Sequence, residues 1–300
     1  MVQWDDILHD GPVPAGFDAD ALREVRADFI ASMGWSTRDE VTSRFAKRDA
    51  QLDAAHDSDE IVLWFENDLY DQLQLIQILD RLADPPAARV TLVQTDRPLG
   101  HVKEPFGELF ARRSSVSTDQ LALARTAWQA FTSSDPHSIE ALTLVPAVAG
   151  NAATVRPPLP YLGPALHRFL EEYPGVQDGV SRSQRQVLSA LEAGERHLGD
   201  VFRESASLEP AIYLGDWSFV AYVRELVEAP TPLIEATGEG QLYGHHQLRL
   251  TRAGRDVIGG RADHVRLNGV DRWLGGVHLH GHDVPWRWDP AAGRLVDATR

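Results

Sequence analysis

The junction near residue 66 limits the fold more than any other feature of the sequence. Ile61-Val62-Leu63-Trp64-Phe65 is an unbroken apolar run of strand length. It leads at once into Asp68–Leu82, where Leu69, Leu73, Ile76, Leu79 and Leu82 recur at helical spacing. A buried strand feeding an amphipathic helix is half of a β-α-β unit, and Arg89–Gln94 supplies the next strand. Strands joined in this way pair in parallel, with helices covering the sheet. A shorter strand is expected over Val2–Leu8, before Gly11-Pro12-Val13-Pro14, and helices over Asp20–Met33 and Thr37–Ala54. Residues 1–112 are therefore expected to form a Rossmann-like α/β domain. A helical connector follows over 113–178, built from Thr118–Thr132, Ser138–Thr143 and Tyr161–Glu172.

Beyond Pro174-Gly175 the pattern changes. Ser181 is placed to cap a helix over Arg182–Leu191, and Leu198–Ser205 and Trp217–Val227 read as two more short helices. A strand-like Gln247–Thr251 then runs into Arg252–Ile258. Three helices followed by a strand pair is the order of a winged helix-turn-helix. Trp273–Val296, rich in Gly and Trp with alternating residues, reads as two or three antiparallel strands. Residues 179–300 are thus expected to be a winged-helix-like α+β domain with a small β tail.

Composition excludes several classes. The 300 residues hold no cysteine, which removes disulfide scaffolds, thiol nucleophiles and Cys-ligated zinc. The net charge of −15 disfavours a large phosphate-neutralising surface. That charge is uneven: residues 1–180 carry −13 and residues 181–300 only −2. The start, Met1-Val2-Gln3-Trp4-Asp5-Asp6, has neither the basic nor the apolar region of a signal peptide, and no run reaches membrane-spanning length. A cytoplasmic protein without membrane contact is expected.

Several segments match a known pattern. Trp4-x-Asp6-Ile7-Leu8-His9-x-Gly11-Pro12-Val13-Pro14, then Leu22-Arg23-x-x-Arg26-Ala27-x-Phe29, and Leu63-Trp64-Phe65-Glu66-Asn67-Asp68-Leu69-Tyr70-Asp71-Gln72 resemble the bacterial family known as domain of unknown function 1835. Leu159-Pro160-Tyr161-Leu162, Gly179-Val180-Ser181-Arg182, Tyr213-Leu214-Gly215-Asp216 and Asp271-Arg272-Trp273-Leu274-Gly275-Gly276 are similar to its longer members. The resemblance covers nearly the whole chain and implies a fold organisation, but it brings no activity with it. Members of that family begin with a strand and a Gly-Asp-Ser loop ahead of the Trp-x-Asp segment, and this sequence starts just past that point. Either the start is late or the sheet lacks that strand.

In a parallel α/β sheet, ligands bind outside the carboxyl ends of the strands. Three expected strand ends carry polar clusters: Asp6, His9 and Asp10; Glu66, Asn67 and Asp68; Thr95, Asp96 and Arg97. Glu66, Asp68, Asp6 and His9 are the candidate acid–base groups, and the same carboxylates suit Mg²⁺. Arg23 and Arg26, one helical turn apart, are candidates to clamp an anion, with Asn67, Asp71 and Asp96 completing a substrate site. Asp68 and Asp71 also fit a helix cap and its first turn, a purely structural role. His278, His280 and His282 fall on one face if their segment is a strand, where three imidazoles face a metal or simply solvent.

These readings point to an enzyme acting on a small polar or phosphorylated, nucleotide-like substrate. The alternative is a winged-helix regulator or protein-binding module. Its candidate recognition helix carries Asp216, Glu225 and Glu228 against Arg224 alone, which disfavours nucleic acid. A loose basic stretch, Arg249, Arg252, Arg255, Arg261 and Arg266, argues the other way. Trp273, Trp286 and Trp288, if exposed together, would favour a homodimer.

Overall fold

A computed structural model of the chain describes residues 1–83, 89–143 and 157–298. It is mixed α/β, with small sheets of two or three strands. The chain divides into two units, one of residues 1–167 with 275–277 and one of residues 168–274 with 278–300. No helix among the described residues is long and apolar enough to cross a membrane.

The first unit begins with β1 (Gly11–Pro12), α1 (Ala19–Ser32), α2 (Arg38–Ala54), β2 (Glu60–Phe65), α3 (Leu69–Arg81) and β3 (Arg89–Gln94). It continues with α4 (Phe106–Ala111), β4 (Ser114–Ser115), α5 (Thr118–Thr132), α6 (His137–Thr143) and the start of α7 (Leu162–Leu170). The expected parallel pair is present: Glu60 lies opposite Arg89 and the register holds through Phe65 opposite Gln94. β4 joins the free side of β3 in antiparallel sense. α3 packs against α5, and α1 against α2. Local chemistry sets the helix starts. Thr37 with Glu40, and Ser117 with Gln120, form reciprocal capping boxes at α2 and α5.

No strand forms over Val2–Leu8, contrary to the expectation from its pattern. Its side chains find partners on helices instead. The Trp4 indole donates to Gln77 of α3 at 2.8 Å, beneath the Arg48 guanidinium 4.0 Å from its ring centre. Asp5 pairs with Arg44 of α2, and Asp6 with Arg26 of α1. Two adjacent acids, each matched to an arginine on a different helix, fix the segment as a loop. Close to it, Val13 N–H donates to the Gly275 carbonyl and Gly276 N–H to the Phe131 carbonyl, each at 2.9 Å. Gly275 has φ of +60°, and a Cβ at Gly276 would stand 1.9 Å from the Thr132 carbonyl oxygen. Only glycine fits that approach.

The second unit holds the end of α7, then α8 (Arg182–Ala190), β5 (Arg196–His197), α9 (Leu198–Ser207), α10 (Asp216–Glu228), β6 (Ile234–Thr237) and β7 (Gln247–Leu250). After these come α11 (Arg252–Ile258), α12 (His264–Asn268), β8 (Val270–Gly275), β9 (Val277–Gly281), β10 (Trp286–Asp289) and β11 (Arg294–Asp297). The three helices α8, α9 and α10 fall where the sequence places them. Val187, Leu188, Val201, Phe219, Val223 and Leu226 of these helices close on Ile234 and Leu248 of the sheet. That sheet has the order β5-β7-β6, antiparallel throughout. The partner of β7 is therefore β6, while Arg252–Ile258 is a helix capped by Thr251. The tail carries the expected antiparallel pairing in β10 and β11.

A buried charge network lies under α7. Glu172, 2% exposed, accepts from Arg168 at 2.7 Å, from Ser183 Oγ at 2.6 Å and from Arg272 at 3.3 Å. Arg168 also grips Glu209 with two nitrogens, at 2.7 and 3.0 Å. Trp288 is buried as well, while Trp273 and Trp286 are half-buried, so these tryptophans do not form the exposed patch that would favour a homodimer.

Candidate functional site

The carboxyl end of β2 gathers three carboxylates. After Phe65 the chain turns through Glu66 and Asn67, and Asp68 caps α3 by accepting from the Asp71 amide at 3.1 Å. The Asp71 carboxylate reaches back to accept from the Glu66 amide. The Glu66 carboxylate accepts from the Leu99 amide at 2.7 Å, which ties the end of β2 to the loop following β3. Gln72 Nε2 donates to the Glu66 carbonyl at 2.6 Å. One oxygen from each of Glu66, Asp68 and Asp71 lies within 4.8 Å of the others. Each carboxylate thus serves the local fold, yet the three are close enough to repel.

Burial and repulsion together raise the proton affinities of Asp68 and Asp71. Asp68, 6% exposed, is pushed up to about 7, first by burial and then by the charges of Asp71 and Glu66. Burial, with Glu66 beside it, pushes Asp71 up to about 6. Asp68 and Asp71 therefore take up and release protons near neutrality.

Other expected site residues are used elsewhere. Arg26, 1% exposed, donates to Asp6 from Nε and Nη2, to the Asp10 and Pro12 carbonyls from Nη1, and to the Ile7 carbonyl from Nη2. Its fork is filled by the protein, so both Arg26 and Asp6 serve the loop rather than a ligand. Arg23 bridges Asp20 and Asp49. His9, 3% exposed, lies edge-on to Tyr70 with ring centres 6.0 Å apart, and its Nε2 is 3.6 Å from Asp10. Asp96 pairs with Arg97 on the surface. Because Val2–Leu8 is not a strand, two of the three expected strand-end clusters, those after β2 and β3, lie at the sheet among the described residues. Asn67 sits between Glu66 and Asp68, half-buried.

A cavity of about 740 Å³ flanks β2 and is lined mainly by apolar groups, including Trp4, Ile61, Trp64, Phe65, Leu99 and Phe106. Trp64 and Phe106 meet edge to face across 6.1 Å. Two of its lining residues adjoin the carboxylates: Phe65 directly precedes Glu66, and Leu99 gives its amide to the Glu66 side chain. The sequence signals Trp64 and Phe65 as strand core. It carries no sign that Trp4 and Phe106, distant along the chain, help line the same cavity.

Comparison with protein-family models, with curated proteins and with solved structures finds no match to this chain.

Proposed function

We propose that the first unit is an enzyme domain acting on a small polar or phosphorylated, nucleotide-like substrate at the carboxyl ends of β2 and β3. The observation that carries this reading is the shared boundary between the aromatic cavity and the carboxylate trio, formed by Phe65 and Leu99. Its volume lies within the roughly 300–1,000 Å³ of small-molecule sites, and such sites pair an apolar lining with a few polar groups. The cavity suits a planar ring, and the trio suits the polar end of the same molecule. Asp68, pushed up to about 7 by burial and the neighbouring charges, is the group that gives up its proton when a cation binds at neutral pH. Glu66, Asp68 and Asp71 form an all-oxygen set that fits Mg²⁺. With Arg26 committed to Asp6, that cation is what would draw a phosphate to the site. The sequence likeness to the domain of unknown function 1835, and a Rossmann-like reading of the β2-α3-β3 unit, accompany this proposal.

Thermal unfolding tests it. Asn caps helices about as well as Asp, so Asp68→Asn keeps the cap and removes a buried charge. A folded pKa raised to about 7 from 3.8 means that stability falls as pH rises through that window. Asp68→Asn is therefore expected to melt above wild type at pH 8, with the advantage gone at pH 4. Millimolar Mg²⁺ should raise the wild-type midpoint at pH 8 and leave Asp68→Asn unmoved, and a nucleoside phosphate should raise the wild type further. If neither Mg²⁺ nor any of a panel of nucleoside phosphates shifts the wild type, the proposal fails.

The second unit favours a second reading. Its order α8-β5-α9-α10-β6-β7, with sheet order β5-β7-β6, supports a winged-helix reading. α10 buries Phe219, Val220, Tyr222, Val223 and Leu226 and leaves Trp217, Glu225 and Glu228 exposed. Arg249 is paired with Glu235, and Arg261 with Asp256. Such a module suits protein contact, with weak or no DNA affinity. A gel shift on duplex DNA at 50 mM and 200 mM salt is expected to show no retained complex. A complex that weakens steeply with salt would reverse this.

A further inference from the structure

The histidines of the tail do not act as three. β8 and β9 are neighbouring strands, and their contacts show which side chains share a face. Trp273 of β8 stacks on His278 of β9, with ring centres 4.4 Å apart and planes within 3°. Two residues before Trp273, Asp271 reaches the same face. One of its carboxylate oxygens is 2.7 Å from His278 Nε2 and the other 3.6 Å from His280 Nδ1. His282 turns away, its Nδ1 3.1 Å from the Arg266 carbonyl. The group assembled on this surface is therefore two imidazoles and one carboxylate, with a ligand atom of each within 4.8 Å of the others.

We propose that Asp271, His278 and His280 form a binding site for a divalent transition-metal ion of the Zn²⁺, Ni²⁺ and Cu²⁺ class. Metal–ligand bonds of about 2.0–2.1 Å to imidazole nitrogen and carboxylate oxygen place tetrahedral ligand atoms roughly 3.3 Å apart. The separations of 2.7 and 3.6 Å, one to each oxygen of Asp271, lie on either side of that spacing, and a ligand atom of each residue lies within 4.8 Å of the others, so side-chain rotation completes the set. Imidazole nitrogen selects this class of metal over Mg²⁺ and Ca²⁺, which favour oxygen. The carboxylate compensates part of the ion's charge. Trp273 holds the His278 ring in plane, so less freedom is lost on binding. All three ligand side chains are exposed, which leaves the remaining coordination positions open to water or to a donor from another molecule.

The test uses the full chain without a histidine tag. Calorimetric titration with Zn²⁺ at pH 7.5 is expected to show a site that Asp271→Asn and His280→Ala each weaken tenfold or more. Glu66→Gln, in the carboxylate trio, should leave that site unchanged, which separates the two sites. Cu²⁺ should quench tryptophan emission saturably, and Trp273→Phe should remove that component while retaining Zn²⁺ binding. Absence of Zn²⁺ binding in the wild type, or equal affinity in wild type and a His278→Ala/His280→Ala double variant, would overturn the proposal.

Discussion

Arg26→Ala is expected to be among the most damaging single substitutions in the first unit, costing about 3–5 kcal/mol, the range for leaving a buried ion uncompensated. Asp6 would remain 1% exposed without its counter-ion, and the Ile7, Asp10 and Pro12 carbonyls would lose the donor they share. At roughly 2–4 °C per kcal/mol for a unit of this size, the melting midpoint should fall by about 6–20 °C. A second variant shows how the cost divides. Asp6→Leu/Arg26→Met removes both charges but leaves the three carbonyls unanswered, so only part of the stability should return. Circular dichroism on both variants measures this. An Arg26→Ala protein within about 1 kcal/mol of wild type would contradict the account.

In the second unit, removal of Arg168 is expected to have a comparable effect. Arg168→Met strips Glu172 of its shortest ionic contact and Glu209 of a two-point grip. The loss should again be about 3–5 kcal/mol. Acid gives a finer test. Burial alone would discourage the Glu172 charge, yet Arg168 and Arg272 hold its carboxyl down at about 2, below the ordinary 4.5. A carboxylate depressed on folding stabilises fully above its unfolded value, and that contribution is lost as pH falls through the folded one. Urea midpoints measured from pH 6 to pH 2.5 should therefore fall in the wild type below about pH 4.5. Glu172→Gln, less stable at pH 6, should fall less steeply across the same window. Parallel curves would assign the acid sensitivity to other carboxylates.

Elements whose partners lie nearby in sequence were legible from it. β2 and α3 follow from a contiguous apolar run and a helical period, and α2, α5 and α8 from capping boxes contained within four residues. Asp68 and Asp71 were legible as a cap and first-turn pair, and Glu66 as a strand-end group, because all three belong to one turn of chain. Long-range partners were not legible. Val2–Leu8 has a strand's pattern, but its acids answer to arginines 20 and 39 positions further on. Arg26 looks like an anion clamp until its six donated bonds to the protein are seen. Asp271 could not be joined to His278 and His280 without the pairing of β8 and β9. The strand partner of β7 lies ten residues upstream, across a glycine-rich loop, whereas the residues directly after β7 form α11.

The return of Gly275–Val277 to the first unit has a practical consequence for dissecting this protein. A fragment ending at residue 167 looks like a clean excision, but it would forfeit the Gly275 carbonyl that receives the Val13 amide and the Gly276 amide that answers Phe131. The first unit is finished by three residues synthesised more than a hundred positions after its main part. On the ribosome, those two hydrogen bonds can form only after most of the second unit has been synthesised.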